Sequence, residues 1–444
     1  MGTRLRNRNG PAASAWLALA GLVIGVAVLV LPAAGAATAS AAGRAQAQAG
    51  SRALTLAQAP AALQAAARGT LSETAASAGV AARSGTDPVY RELGASVAMS
   101  GATAVVGAPG VIVNGHLGAI YIFARCGKIW RLQATLHGST KHAIGGVVAV
   151  SSTASGTFVL TAAGGKALVY QRLGTVWHLQ ATLRPLPAKP PFIPFFGAAV
   201  AISSTTAVVS TTQSELNSMG GIYVFARSGT TWHRQAILYD PEGPVGEANF
   251  GGSLAVSGST ILAGASNDDC AFVFTRSGQK WALQAALNPF GQVAACTEPV
   301  NGGGFGSSVA ISGSTAVIGA PGTVHGAAYV FARSGTTWSR QATLTGPHGA
   351  RNDFFGFSVA LSPARALVGA TYGVFSTPPP SHCGTAYEFT RSGHTWGERT
   401  ELVNPGCSNG DLFGWSLAIS GTTAMIGAPA AHDYAGAVYQ EDLR

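Results

Sequence analysis

Short apolar runs separated by turns recur along most of the chain. The clearest copy is residues 305–344, FGSSVAISGSTAVIGAPGTVHGAAYVFARSGTTWSRQATL. It contains four such runs (SSVAIS, TAVIGA, AAYVFAR and TWSRQATL), and tight turns of Ser, Gly and Thr join the first run to the second and the third to the fourth. Runs of this length, bounded by small turn residues, are typical of β-strands. We therefore predict that each copy forms one four-stranded antiparallel sheet.

The copies recur at intervals of 50 to 58 residues. Each is marked by the Gly that follows its leading large apolar residue, and the seven markers are Gly94, Gly145, Gly197, Gly251, Gly306, Gly356 and Gly414. Seven four-stranded units of this length are typical of a propeller. The first run, built of small residues, is predicted to lie innermost. The apolar second run should be buried by both neighbouring blades, and the mixed fourth run should form the outer edge. The fold class is therefore an all-β, seven-bladed β-propeller of four-stranded antiparallel blades.

The seventh copy has no fourth run before the last residue, Arg444. An open blade would expose sheet edges, so we expect an N-terminal strand to close the ring. The first candidate is residues 61–67, AALQAAA, which resemble ALQAAL at 282–287. Residues 82–92 are the alternative closing strand, and a short helix is the remaining alternative. The propeller is accordingly assigned to residues 61–444.

The N-terminus has the features of an export signal. Arg4, Arg6 and Arg8 precede an apolar run at 16–31, and small residues at 39–41 form a cleavage site. This pattern predicts a signal peptide over residues 1–41, and an uncleaved membrane anchor is the alternative. The Ala/Gln-rich residues 42–60 are predicted to be a disordered linker. We expect a secreted or extracellular protein, or one held at the cell surface, with no membrane span after signal cleavage.

The composition narrows the choice of function. Only 10% of residues are charged, 47% are hydrophobic and 59 are Gly, which argues against a charged helical or disordered protein. Loss of residues 1–41 would remove three Arg and no acids, lowering the formal charge from +9 to +6. This charge is mild, and nothing else in the sequence is typical of base recognition. We predict a monomer that does not bind nucleic acid.

Two short motifs identify a family resemblance. PheGly recurs at 196, 250, 305, 355 and 413, and GlyAlaPro follows at 107–109, 319–321 and 427–429. This arrangement resembles the FG-GAP repeat of integrin α-subunit propellers and their bacterial secreted relatives. The resemblance implies a seven-bladed, usually extracellular propeller used in adhesion or interaction, sometimes attached to an enzyme domain. The second copy lacks both motifs, and the third has SerThrThr at 210–212 in place of GlyAlaPro.

Many members of that family carry an Asp-rich calcium loop between the first two strands of a blade. Here those turns are SerGlyAlaThr, SerGlySerThr or SerGlyThrThr. They are short and carry no carboxylate, whereas calcium needs several oxygen ligands. We predict that these turns bind no calcium and that the protein has no cofactor and no metal site.

Four of the five cysteines fall at matching places. Cys270 and Cys383 precede the third run of their copies, and Cys296 and Cys407 follow the fourth. The start of one antiparallel strand lies beside the end of its neighbour, and an exported protein meets oxidising conditions. We predict the disulfides Cys270–Cys296 and Cys383–Cys407. Cys126 replaces Ser in an ArgSerGly turn and is interpreted as a drifted turn residue. A reactive or intermolecular thiol is the alternative.

An Arg stands five residues before a Trp in six copies. The pairs are Arg125 and Trp130, Arg172 and Trp177, Arg227 and Trp232, Arg276 and Trp281, Arg333 and Trp338, and Arg391 and Trp396. A two-residue Ser334–Gly335 turn would place Phe331 opposite Trp338 and Arg333 diagonal to its indole. We interpret the pairs as repeated cation–π packing. A positive rim for anionic glycans is the alternative, although binding sites usually break symmetry whereas packing repeats.

The irregular sequence falls in the connections from strand two to strand three and from strand four to the next blade. These emerge on one face, and loops on a rigid scaffold are where binding usually occurs. The candidate binding residues on this face are Tyr239, Asp268, Asp269, Tyr372, Phe375, His382, His432 and Tyr434. They predict an extracellular protein or glycan as the partner.

Linear catalytic signals are weak. The histidines form no HExxH or zinc-like spacing, and Asp268 and Asp269 are adjacent, so in an extended loop they point opposite ways. We predict a non-catalytic interaction or adhesion module with no catalytic residues. A secreted carbohydrate-active enzyme, either a lyase or a hydrolase with a site assembled from several blades, is the alternative. A structural component of the cell envelope is a third possibility.

Overall fold

Seven antiparallel sheets form the protein, one for each sequence copy. The structure is a computed structural model that describes residues 52–54, 91–127, 129–186, 195–212, 221–243, 249–296, 303–346, 353–371, 383–405, 408 and 410–443. Its first strand is β1 (Arg52–Leu54). Among these residues, no helix has the length and apolar character needed to cross a membrane. The predicted signal at 1–41 lies outside the described residues.

The strands follow the chain from blade to blade. Blade 1 consists of β2 (Ser96–Ser100), β3 (Thr103–Val113), β4 (His116–Cys126) and β5 (Ile129–His137). Blade 2 consists of β6 (Val148–Thr153), β7 (Gly156–Ala163), β8 (Lys166–Leu173) and β9 (Val176–Leu183). Blade 3 consists of β10 (Phe195–Ile202), β11 (Thr206–Thr212), β12 (Gly221–Ser228) and β13 (Thr231–Tyr239).

Blade 4 consists of β14 (Phe250–Ser257), β15 (Thr260–Ala265), β16 (Cys270–Ser277), β17 (Lys280–Asn288) and β18 (Gly291–Val293). Blade 5 consists of β19 (Ser308–Ser312), β20 (Thr315–Ala320), β21 (Ala327–Ser334) and β22 (Thr337–Leu344). Blade 6 consists of β23 (Phe355–Ser362), β24 (Arg365–Ala370), β25 (Thr385–Ser392) and β26 (Thr395–Val403). Blade 7 consists of β27 (Ser416–Ser420), β28 (Thr423–Ala428), β29 (Ala437–Asp442) and β1. A 3₁₀ turn at Ser266–Asp268 and a short helical segment at Ala431–Tyr434 are the helical elements of the described residues.

The hydrophobic core lies between the blades. Every residue of β15, β20 and β28 is buried. One core cluster joins Leu262 and Val273 of blade 4 to Ile318 and Phe331 of blade 5. The prediction that the second strand is buried by both neighbouring blades is therefore confirmed.

The two motif glycines allow neighbouring blades to approach closely. Gly306, the marker of blade 5, has φ near +98°, which glycine adopts most readily. Its carbonyl accepts a 2.7 Å hydrogen bond from Ser253 Oγ of blade 4. A Cβ on Gly264, one blade back, would lie 1.9 Å from that carbonyl oxygen. The two glycines of the sequence motif are thus the two sides of one interblade contact.

Blades 2 and 3 lack the Ser that donates this interblade hydrogen bond and carry a hydroxyl that bonds within its own blade instead. Val147 and Ala199 stand where the first strand of the other blades carries Ser, and Thr161 and Ser210 stand where the second carries Gly. The Thr161 hydroxyl donates to the Val147 carbonyl at 2.8 Å, and Ser210 Oγ accepts from the Ala199 amide at 2.9 Å. In blades 2 and 3 the hydroxyl is therefore on the second strand and not on the first. The Ser position of the first strand and the Gly position of the second strand change together.

A second ring of contacts joins the outer strands. In five blades the buried or half-buried Trp donates its indole N–H to a Gln of the preceding blade. The pairs are Trp177 and Gln133, Trp232 and Gln180, Trp281 and Gln235, Trp338 and Gln284, and Trp396 and Gln341. Trp130 Nε1 of blade 1 is buried without a partner. Its preceding blade is blade 7, whose outer strand is β1.

The ring is closed by an N-terminal strand, but the predicted segment is wrong. β1 pairs antiparallel with β29, with Arg52 opposite Gln440 and Leu54 opposite Val438. This strand lies inside residues 42–60, which the Ala/Gln-rich sequence predicts to be a disordered linker. Residues 61–67 and 82–90 lie outside the described residues. The backbone N–H groups of Arg91 and Glu92 donate hydrogen bonds to the Tyr434 carbonyl at 3.0 and 3.1 Å.

The turn between strands three and four differs by one residue from the prediction. Ser334 pairs with Thr337 and Arg333 pairs directly with Trp338, so the turn residues are Gly335 and Thr336. Gly335 has φ near +61°, as the first position of a type II′ turn requires. Arg333 therefore faces Trp338 across the ladder and is not diagonal to it.

The repeated arginines pack against rings and hydroxyls. The guanidinium of Arg333 lies 5.5 Å from the Trp338 ring centroid, and that of Arg276 lies 5.7 Å from Trp281. Arg333 also donates to Thr260 of the preceding blade at 3.1 Å, and Arg391 donates to Thr315 at 3.3 Å. These contacts confirm the packing interpretation for the blades in which they occur.

Candidate functional site

The long-loop face is the side that carries the connections from strand two to three and from strand four to the next blade. Tyr239 ends β13 and is 51% exposed. Asp268 and Asp269 lie between β15 and β16, while His432 and Tyr434 lie between β28 and β29. Tyr372, Phe375 and His382 lie outside the described residues.

The structure divides the described candidates into two groups. Tyr239 and Asp268 belong to the adjacent blades 3 and 4, and Asp269 binds the start of blade 5, whereas His432 and Tyr434 belong to blade 7. Blades 5 and 6 separate the groups on one side of the ring and blades 1 and 2 on the other. The two groups therefore do not form one site.

The first group is acidic, and two of its members were missed. Burial and the neighbouring charges of Asp240, Glu242 and Asp269 raise the pKa of Asp268 to about 6. Burial also raises the pKa of Asp240. The predicted binding residues include Tyr239 but not the nearby Asp240 or Glu242. Their proximity to Asp268 follows from the packing of two blades, which no linear motif shows.

Asp269 has a structural role within this group. It is buried, and its Oδ1 accepts the amides of Gly304 and Phe305 at 2.7 and 3.0 Å. The two adjacent carboxylates thus have different environments, because Asp269 binds backbone whereas Asp268 remains partly exposed beside other acids. The loop is a 3₁₀ turn and not the extended segment assumed from the sequence.

A disulfide and side-chain hydrogen bonds hold the loops around the acidic group. Cys270 and Cys296 are bonded, with their Cα atoms 6.2 Å apart, as predicted. Glu242 Oε1 accepts the Cys296 amide at 3.0 Å, and Asn249 Nδ2 donates to Ser266 Oγ at 3.0 Å. The fifth strand of blade 4, β18, lies just before Cys296 and was not predicted.

The second predicted disulfide is only partly described. Cys383 is disulfide-bonded, while its predicted partner Cys407 lies outside the described residues. Cys126 is free and exposed.

The second group lies on a left-handed turn. His432, Asp433 and Tyr434 have φ of 55°, 56° and 65°. Each such non-glycine residue costs about 1–2 kcal/mol, so the turn needs support. Hydrogen bonds from the Tyr434 amide to the Ala430 carbonyl and from the Gly436 amide to the Ala431 carbonyl supply it, at 3.1 and 2.9 Å. The result is a fixed turn that presents Tyr434, 49% exposed, to solvent.

These arrangements define the chemistry of the face. Within the described ranges, no group of three or more His, Cys, Asp or Glu side chains is placed to hold a metal ion. The acidic group offers carboxylate acceptors, and Tyr239, next to Asp240 in the chain, offers an exposed ring on the same face. Such a surface is suited to cationic groups or to the hydroxyls of a sugar.

The class of protein follows from the fold and its repeated contacts: it is a seven-bladed β-propeller whose blades are joined by Phe-Gly and Gly-Ala-Pro motifs. The family model described as FG-GAP repeat matches residues 299–331, 338–389 and 396–439. The chain therefore contains FG-GAP repeats within a seven-bladed β-propeller.

A solved structure shares this fold. The crystal structure of the Cps50 (Swd1) β-propeller domain of Myceliophteria thermophila superimposes with a TM-score of 0.51 at 10% sequence identity. The match covers 79% of this chain and 96% of that one. At this identity the likeness concerns the fold alone. None of the curated proteins compared with the chain matches its sequence.

Proposed function

We propose that this protein is a secreted or surface-held, non-catalytic interaction module that binds an extracellular protein or glycan through its long-loop face. The observation that supports this most is the acidic group beside Tyr239, which three loops and the Cys270–Cys296 disulfide hold in place. A rigid, partly desolvated set of acceptors with an exposed ring binds without losing much loop entropy. The matching ligand carries cationic groups or an array of hydroxyls.

An extracellular location is supported by the same disulfide. Disulfides persist in oxidising compartments and are rare in the cytosol. The Cys270–Cys296 bond fixes the loops of the proposed binding face, so an oxidising location would serve the function directly.

The test is binding to arrays of glycans and extracellular proteins. We compare the wild-type chain with a Tyr239→Ala, Asp268→Asn variant. The matched control is Leu283→Ala, which removes an aliphatic side chain that is 45% exposed in the middle of the outer strand β17, away from the long loops. Loss of binding by the loop variant alone supports the proposal. Equal loss in the control, or unchanged binding in the loop variant, contradicts it.

The carbohydrate-active enzyme is kept as a second candidate because of Asp268. A carboxyl with a pKa of about 6 beside the carboxyl of Asp240 has the character of a general acid. Release of sugar from an offered polysaccharide, lost in Asp268→Asn, would support the enzyme. Binding without turnover supports the interaction module.

A further inference from the structure

Charge is distributed unevenly around the ring. Residues 93–186, which hold blades 1 and 2, contain seven Lys and Arg residues and no Asp or Glu. Residues 195–443, which hold blades 3 to 7 except β1, contain ten Lys and Arg and fifteen Asp and Glu. One sector of the propeller is therefore basic, whereas the rest has a net negative charge.

The same two blades differ from the others at the turn between strands three and four. In blades 3 to 6 the pair that closes this turn is polar: Ser228 and Thr231, Ser277 and Lys280, Ser334 and Thr337, and Ser392 and Thr395. In blades 1 and 2 the pairs are Cys126 with Ile129 and Leu173 with Val176. Ile129, Leu173 and Val176 are 59%, 56% and 54% exposed.

These apolar tips are neighbours within the basic sector. Blades 1 and 2 are adjacent, and Trp177 Nε1 of β9 donates to Gln133 Oε1 of β5 at 3.1 Å. Arg131 is exposed and follows Ile129 by two residues, so it lies on the same face of β5. On the other side of blade 1, Asp442 of β29 pairs with Thr423, whose hydroxyl accepts from Arg125 at 2.7 Å, so one acid of blade 7 lies beside the tip of blade 1.

We propose that the short-turn face of blades 1 and 2 binds an anionic lipid bilayer. Ile129, Leu173 and Val176 form the apolar tips that enter the headgroup layer. Arg125, Arg131 and Arg172 lie near these short turns and attract the surface, whereas Lys141, Lys166 and Arg184 lie toward the long-loop face. No acid within blades 1 and 2 opposes this attraction. Each basic residue near an anionic leaflet contributes about 1 kcal/mol, or about fivefold in partitioning. Apolar side chains at such a surface add to this attraction.

Charge and apolar exposure together favour a bilayer over other partners. An anionic polymer would use the cations but leave the exposed aliphatic tips in water. A second copy of the chain would bring two basic sectors together, which like-charge repulsion opposes. When the short-turn face of this sector binds the bilayer, the long-loop face points away from it. The inference therefore does not depend on the proposed function of the long-loop face.

The test is sedimentation with lipid vesicles. Residues 42–444 retain every strand of the structure and are used in a Cys126→Ser background, which prevents disulfide cross-linking. Vesicles of phosphatidylcholine with phosphatidylglycerol should bind the protein, whereas pure phosphatidylcholine should bind it about tenfold or more weakly. The Ile129→Ser, Leu173→Ser, Val176→Ser variant should lose about tenfold or more. Arg131→Gln should lose about fivefold.

Matched controls remove similar groups from other blades. Leu283→Ser removes an aliphatic side chain that is 45% exposed on blade 4, and Arg234→Gln removes a charge from blade 3. Both should bind as the parent does, and every variant should melt at the parent temperature. Equal binding to the two kinds of vesicle overturns the proposal. So does full binding by the triple variant, which would indicate an anionic polymer. A doubled mass in the chain with native Cys126, abolished by the triple variant, would indicate a second copy instead.

Discussion

Substitution of Gly319 by Ala should increase the separation between blades 5 and 6. The new Cβ would lie 2.0 Å from the Gly356 carbonyl oxygen and 2.3 Å from Ser308 Oγ. Gly319 does not have a positive φ, so Ala is compatible with its backbone, and the clash alone is tested. Relief requires the Gly356 carbonyl to retreat by about 1.4 Å, to an ordinary contact near 3.4 Å.

That movement breaks a hydrogen bond as well as the packing. Ser308 Oγ donates to the same carbonyl at 2.8 Å. Loss of the bond costs about 1 kcal/mol and overpacking costs about 1–3 kcal/mol, so we expect about 2–4 kcal/mol in all. A ring of roughly 350 residues has an unfolding entropy of about 0.7 kcal/mol per kelvin at about 2.1 cal/mol/K per residue. The melting temperature should therefore fall by about 3–6 °C.

The assay is calorimetric melting of the wild type, Gly319→Ala and Ser308→Ala. Ser308→Ala removes only the hydrogen bond, so it should cost about a quarter to a half as much. If Gly319→Ala melts with the wild type, the blades adjust at no cost and the motif glycines do not determine blade spacing.

Three further predictions concern contacts seen at single blades. Trp338→Phe should destabilise the protein by about 1–2 kcal/mol more than Trp130→Phe in urea unfolding, since only Trp338 has a Gln acceptor; equal losses would contradict this. The Asp268 pKa is raised in the fold to about 6, so its protonation favours the native state, and stability should fall as pH rises from about 4 to 6. Melting temperatures measured from about pH 4 to 6 should depend less on pH in Asp268→Asn than in the wild type. An unchanged pH dependence in the variant would refute the assignment of this effect to Asp268. Cys270→Ser, Cys296→Ser should lose about 3 kcal/mol, because the disulfide closes a loop of 26 residues, and unaltered melting would show that the bond adds nothing.

The repeat could be predicted from the sequence because the contacts that require it involve the same few positions in each blade. A glycine at the marker position, such as Gly306, is required by its positive φ, and its partner Gly264 by the carbonyl packed against it. Both requirements recur in most blades, so they leave a period in the sequence. The buried second strands are likewise visible as uninterrupted apolar runs.

Other features depend on contacts that have no sequence period. The three residues of β1 lack the Trp and Gln that mark the other outer strands, so resemblance to those strands selected residues 61–67 instead. The turn register depended on whether Ser334 or Gly335 begins the turn, and glycine's φ decides it. The acidic group joins Asp240 and Asp268 from different blades, and only the packing of those blades brings them together.

The central claim is that binding uses the long-loop face, and a bulky label tests it most directly. In a Cys126→Ser background, a polyethylene glycol maleimide is attached at Tyr434→Cys or Tyr239→Cys on that face. The control position is Ser334→Cys, at an exposed short turn of blade 5. Binding to the glycan and protein arrays should be lost with the label at a long-loop position and kept with the label at Ser334→Cys. Loss at Ser334→Cys with binding kept at both long-loop positions would contradict the account.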